Sequence, residues 1–212
     1  MAELDTKQRQ SPATQDAGPQ IFVFDNFLAD PDRQVLYNFL RGPGWAFGAH
    51  SDNAPEASRY WYKHFAGYER DGEDRDVDAI AGELKTVPLV GTMWRRLTET
   101  YLRGHTLMRS YANGYPSGAE GALHLDSLEP NHFTTIYYPH AAWDPNFAGE
   151  TVFFNRDRTD IIASVYPKPN RLLVFRGDIP HVARGVSRRC NDLRITLMFK
   201  TAAPLTNPQA AA

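Results

Sequence analysis

The chain has 212 residues, a formal net charge of −2 and a single cysteine, Cys190. That length bounds it to one substantial domain, and the near-neutral balance gives no general attraction to nucleic acid or to a membrane surface. One cysteine cannot form an internal disulfide or supply a four-cysteine zinc knuckle, which fits a reducing compartment and a cytoplasmic location.

Residues 1–19 are polar, carry no apolar h-region and read as a disordered tail rather than a signal peptide. No apolar run approaches a membrane span. A strand is expected at 21–28. Asp30 then reads as an N-cap and Pro31 as the first helical residue, with Val35, Leu36, Phe39 and Leu40 on the apolar face and Gly42-Pro43-Gly44 as the stop. Residues 59–65 read as a strand. An acidic run at 71–78 reads as a solvated loop leading into a helix, which Pro88 should break. A further helix over 89–102 should end at Gly104.

Past Gly104 the period shortens to that of strands, expected at 106–111, 121–125, 133–138, 151–154, 161–166, 171–175, 181–186 and 193–200. Eight short strands punctuated by Pro, Gly and Asn predict a sandwich or jelly roll. The fold class is therefore mainly β with flanking helices, in one domain over 20–202. Helical support occupies about 30–104 and packs on one sheet, the β core occupies 105–201, and a tail follows at 203–212.

The residues with chemistry are concentrated in the β part. His124 and Asp126 are two apart, so on a strand they share a face. After 54 intervening residues comes His181, and twelve more separate it from Arg194. Two imidazoles and a carboxylate make one triangular face of an octahedron, the ligand set of non-haem Fe(II) oxygenases. On the last strand Arg194 and Thr196 share one face, while Ile195, Leu197 and Phe199 share the other and read as core. An arginine on an inner face needs an anion, which either Asp192 nearby or a bound dicarboxylate, with Thr196 adding a hydroxyl, would supply.

This layout resembles the Fe(II)/2-oxoglutarate-dependent dioxygenases, in particular the prolyl 4-hydroxylase and phytanoyl-CoA hydroxylase branch. The resemblance covers about 106–200. It implies a double-stranded β-helix, iron on His124, Asp126 and His181, and 2-oxoglutarate with its far carboxylate on Arg194. It also implies Tyr111 as a cosubstrate contact, with Thr135 and Tyr137 as further candidates. Asn170 stands where the family usually has Gly, and Ala148 replaces one of two glycines that commonly precede the Glu150-Thr151 pair. The intact Asp126 favours hydroxylation over halogenation, in which that carboxylate is replaced. The implied activity uses Fe(II), 2-oxoglutarate and O2 to hydroxylate a C–H bond of a small-molecule metabolite, releasing succinate and CO2. Alternatives are a prolyl-type hydroxylase of protein side chains and a non-catalytic metal-binding jelly roll.

The remaining histidines, His50, His64, His105, His132 and His140, read as ordinary surface or hydrogen-bonded residues. Arg184, Arg188 and Arg189 read as a solvated loop or an anion-attracting rim. Trp45, Trp61 and Trp143 read as core or pocket lining.

Overall fold

The computed structural model describes residues 20–51, 58–67 and 77–205. The expected tail at 1–19, all but the first three residues of the one at 203–212, and most of the acidic run lie outside these residues. Among the described residues no helix is long and apolar enough to cross a membrane.

Among the described residues ten strands form two antiparallel sheets. In chain order they are β1 (Ile21–Phe24), β2 (Ala46–Ala49), β3 (Tyr60–Ala66), β4 (Thr106–Tyr115), β5 (His132–Tyr138), β6 (Thr151–Phe154), β7 (Ile161–Val165), β8 (Arg171–Arg176), β9 (His181–Ala183) and β10 (Arg194–Ala202). The larger sheet runs β1-β8-β5-β10-β4-β3-β2 and the smaller runs β7-β6-β9. Among the described residues three α-helices, α1 (Asp30–Arg41), α2 (Val77–Glu83) and α3 (Pro88–Glu99), come before β4, α1 following β1 and the other two following β3.

The helices cover the outer face of the larger sheet. Leu36 and Leu40 of α1, Ile80 of α2, and Val90, Met93 and Leu97 of α3 share one core with Leu107, Leu172, Ile195, Leu197 and Phe199. Val35 is left half exposed, so the buried stripe of α1 is Leu36, Tyr37 and Leu40. A second core, with Ile136, Phe153, Phe175 and Met198, lies between the sheets. The inner faces are thus apolar at one end and free to carry polar groups at the other.

Local signals were partly as expected. Pro88 opens α3, where its missing N–H costs nothing. The N-cap of α1 is Ala29 rather than Asp30, which is already helical and supplies an acid to the first turn. The far end of α1 is closed from outside the helix: the buried Lys63 ammonium donates to the carbonyls of Leu40 and Gly42 at 3.1 and 2.9 Å.

Asn170 adopts φ 62°, the left-handed conformation for which Gly is the usual choice. Its amide explains the exception. Oδ1 accepts from Leu28 N and from Tyr137 Oη, both at 2.9 Å, and Nδ2 donates to Leu28 O at 2.8 Å. The turn before β8 is thereby joined to the start of α1 and to β5. Asn170→Ala should cost about 3 kcal/mol in chemical denaturation, because it strains the turn and leaves buried groups unpaired. Asn170→Gly should recover only the backbone part. A Gly variant as stable as the wild type would show that the amide bonds contribute nothing.

Candidate metal centre

The segment 121–125, expected as a strand, pairs with β9 through only one isolated bridge, between His124 and His181. Gly121 N donates to Ala183 O at 2.9 Å, and His124 and His181 exchange backbone bonds of 3.1 and 3.0 Å. Between these ties one side has one residue more than the other, a bulge that breaks regular pairing and re-aims the side chains. Asp126 N and Ser127 N then both reach Gly177 O. This anchoring, rather than strand alternation, brings His124 and Asp126 together.

The three ligand atoms of His124, Asp126 and His181 lie within 4.8 Å of one another. His124 Nε2 is 3.2 Å from Asp126 Oδ1, and His181 Nε2 is 3.4 Å from Oδ2. Each imidazole is oriented by its other nitrogen: His124 Nδ1 donates to Ala122 O at 2.8 Å, and His181 Nδ1 to Ile179 O at 2.9 Å. A carbonyl can only accept, so Nδ1 carries the proton and each Nε2 presents its lone pair inward. The donor set suits a divalent transition metal with open positions. Neither Glu120 nor Glu129 joins this group.

Asp126 is held by two side chains that its sequence neighbourhood does not announce. Lys200 Nζ pairs with Oδ2, and Thr134 Oγ1 donates to the same oxygen at 2.5 Å. Burial by itself would raise the Asp126 pKa. The Lys200 charge beside it outweighs this and holds the carboxyl well below its ordinary range. Oδ1 is left as the oxygen without a cationic partner. Lys200 has the same parity as Arg194 and Thr196 on β10, which is the signal that could have found it.

The three ligand residues and Lys200 share one hollow with Tyr111, Asn113, Arg194, Thr196 and Met198. Arg194 is 1% exposed. Its Nη2 donates to Thr151 Oγ1 at 3.2 Å, its Nε donates to Gly149 O, and its guanidinium lies 5.6 Å from the ring centres of Tyr115 and Tyr138. No carboxylate among the described residues forms an ion pair with it.

Thr135 and Tyr137 lie elsewhere. On β5 it is Thr134, Ile136 and Tyr138 that face inward. Tyr137 points into the helix-covered core, bonds Asn170 and meets the Phe27 ring, and Thr135 shares that outward face by alternation. The three tryptophans also lie outside the hollow: Trp45 and Trp143 pack in cores, and Trp61 meets the Phe47 ring at a tilt. Arg188 and Arg189 are exposed, and Arg184 lies over Phe154.

His140, read as an ordinary loop residue, is buried beneath the start of β10. Its Nε2 accepts from Ile195 N at 2.9 Å, so it helps to seat Arg194. Burial lowers its pKa from 6.5 to about 4. A folded pKa below the unfolded one means that stability is complete above pH 6.5 and falls as the pH drops towards 4, by up to about 1.4 kcal/mol per pH unit. In urea titrations the difference between wild type and His140→Gln should shrink over that interval. A difference that does not change with pH would show that His140 is not buried neutral.

No family model and no curated protein matches the sequence. Solved structures do match in fold. A 2OG-Fe(II) oxygenase family oxidoreductase from Burkholderia pseudomallei is 15% identical with a TM-score of 0.63, over 86% of this chain and 84% of that one. A Trichoplax adhaerens prolyl hydroxylase, solved with a hypoxia-inducible-factor peptide fragment, is 16% identical with a TM-score of 0.57, over 87% and 84%. HygX from Streptomyces hygroscopicus, solved with nickel and 2-oxoglutarate, is 8% identical with a TM-score of 0.54, over 88% and 84%. The chain therefore has the jelly-roll fold of the Fe(II)/2-oxoglutarate oxygenases, and that fold carries the His124–Asp126–His181 group between its two sheets.

Proposed function

We propose that the chain is a 2-oxoglutarate-dependent Fe(II) dioxygenase that hydroxylates an unactivated C–H bond of a small-molecule metabolite. The observation that carries this reading is the pairing, in one hollow, of an oriented His–Asp–His group with a buried arginine that has no counter-ion among the described residues. His124 Nε2, His181 Nε2 and Asp126 Oδ1 would hold the metal, while Lys200 and Thr134 keep Oδ2 engaged. Arg194 and Thr196 would hold the far carboxylate of 2-oxoglutarate, and Tyr111 lies on the wall between. Met198 and Ile136 line the same hollow and limit water there. Bound Fe(II) supplies the oxidation, in which 2-oxoglutarate and O2 yield succinate, CO2 and one oxygen atom for the substrate. The protein's share is to hold the cosubstrate and aim one C–H bond.

Incubation with Fe(II), 2-oxoglutarate and a metabolite panel, with succinate quantified and products weighed by mass spectrometry, tests the reading. Succinate release with a gain of one oxygen in a small molecule supports it. A gain confined to prolyl peptides would assign the same chemistry to a protein substrate. Metal binding with no 2-oxoglutarate turnover would leave a non-catalytic jelly roll.

A further inference from the structure

A second, wider hollow adjoins the first and shares His124, Tyr111 and Asn113 with it. Its walls include Phe47, Tyr60, Tyr62 and Arg109, and no carboxylate lines it among the described residues. Arg109 is its one permanently charged group. The guanidinium lies over the Tyr111 ring at 4.6 Å, and its Nε is buried without a hydrogen-bond partner. Stacking on an aromatic face fixes the plane of the fork and leaves its edge for an acceptor.

The ladder shows which end of the site Arg109 serves. Along β4 and β10 the pairs run Arg194 with Tyr115, Thr196 with Asn113, Met198 with Tyr111 and Lys200 with Arg109. Arg109 is therefore directly across from the lysine that holds Asp126. Arg194 is six residues away along the strand, about 20 Å at the usual rise. A five-carbon dicarboxylate held on Arg194 cannot also reach Arg109. The Lys200 charge is engaged by Asp126, whereas the Arg109 charge has no anion among the described residues. A buried or half-buried guanidinium without one is a costly arrangement that an incoming oxyanion relieves.

Resting on the oxygenase reading of the metal centre, we propose that Arg109 anchors an oxyanion of the substrate. The molecule oxidised is then a carboxylate or phosphate ester that enters across Tyr60 and Tyr62 and passes over His124. Two arginines flank the metal centre in this arrangement, Arg194 for the cosubstrate and Arg109 for the substrate.

The test uses the full chain loaded with Mn(II) and saturating 2-oxoglutarate, so that the Arg194 end is filled and no turnover occurs. Phenylacetate, phenyl phosphate and the neutral phenylacetamide serve as probes, and the relaxation of their protons by Mn(II) reports binding beside the metal. An acid should bind at least tenfold more tightly than the amide. Arg109→Met should remove that preference, and Arg109→Lys should keep part of it. Whether phenyl phosphate or phenylacetate binds better identifies the oxyanion. Acids that do not exceed the amide, because both bind or neither does, overturn the assignment while leaving Mn(II) and 2-oxoglutarate binding in place. An acid preference that survives in Arg109→Met overturns it as well. Failure of the wild type to bind Mn(II) or 2-oxoglutarate would instead remove the oxygenase reading beneath it.

Discussion

Fe(II) titrated anaerobically into His181→Ala should meet a protein whose affinity has fallen by more than about a hundredfold, or 2.7 kcal/mol. His181 is 4% exposed and wedged against the rings of Phe153 and Phe175, with Nδ1 tied to Ile179 O. Its Nε2 is therefore already placed before a metal arrives. Its loss leaves one imidazole and one carboxylate oxygen, and no other His, Asp, Glu or Cys among the described residues completes the group. His124→Ala should behave alike, and in the wild type the affinity should drop in acid because each Nε2 must be unprotonated. Asp126→Ala is a less direct experiment. It removes a ligand but also strips the partner from Lys200, and a largely buried ammonium left unpaired costs about 3 to 5 kcal/mol. Loss of metal in that variant should come with loss of stability, whereas the histidine variants should stay folded. Undiminished Fe(II) binding in both histidine variants would eliminate the centre.

What the sequence disclosed depended on whether a segment has one buried face or two. Strand β10 is a case in its favour. Ile195, Leu197 and Phe199 face the helix-covered core, and Arg194, Thr196, Met198 and Lys200 face the hollow, as alternation required. Strand β5 is the opposite case. Thr-Thr-Ile-Tyr-Tyr at 134–138 is covered on both sides, so neither phase stands out, and Thr135 and Tyr137 were placed on the wrong one. The metal ligands were legible by residue type and spacing, although the strand expected beneath two of them is a bulged segment held by backbone ties to His181 and Gly177. Thr134, Lys200 and His140 were not legible. Their roles come from partners that are remote in the chain or hidden by the fold: Asp126 lies 74 residues before Lys200, and Ile195 lies 55 after His140.

Arg194→Lys should weaken 2-oxoglutarate at least tenfold, about 1.4 kcal/mol, while Fe(II) or Mn(II) binding barely changes. The guanidinium is fixed before any ligand arrives. Gly149 O and Thr151 Oγ1 take two of its donors, and Tyr115 and Tyr138 lie against it. What remains is a fork without a carboxylate, which matches one end of a dicarboxylate with parallel hydrogen bonds. Lysine keeps the charge but offers a point donor on a flexible stem, and it loses the two supporting contacts. The glycine opposite supplies an independent check. Gly149 has φ +84°, and an added Cβ would come within 2.8 Å of Arg194 Cδ. Gly149→Ala must therefore displace the arginine stem, and it should weaken 2-oxoglutarate in the same direction without altering any metal ligand. Calorimetric titration of 2-oxoglutarate into the Mn(II)-loaded variants measures both effects. An unchanged affinity in Arg194→Lys, with loss in Arg184→Ala or Arg188→Ala instead, would move the cosubstrate to the loop after β9.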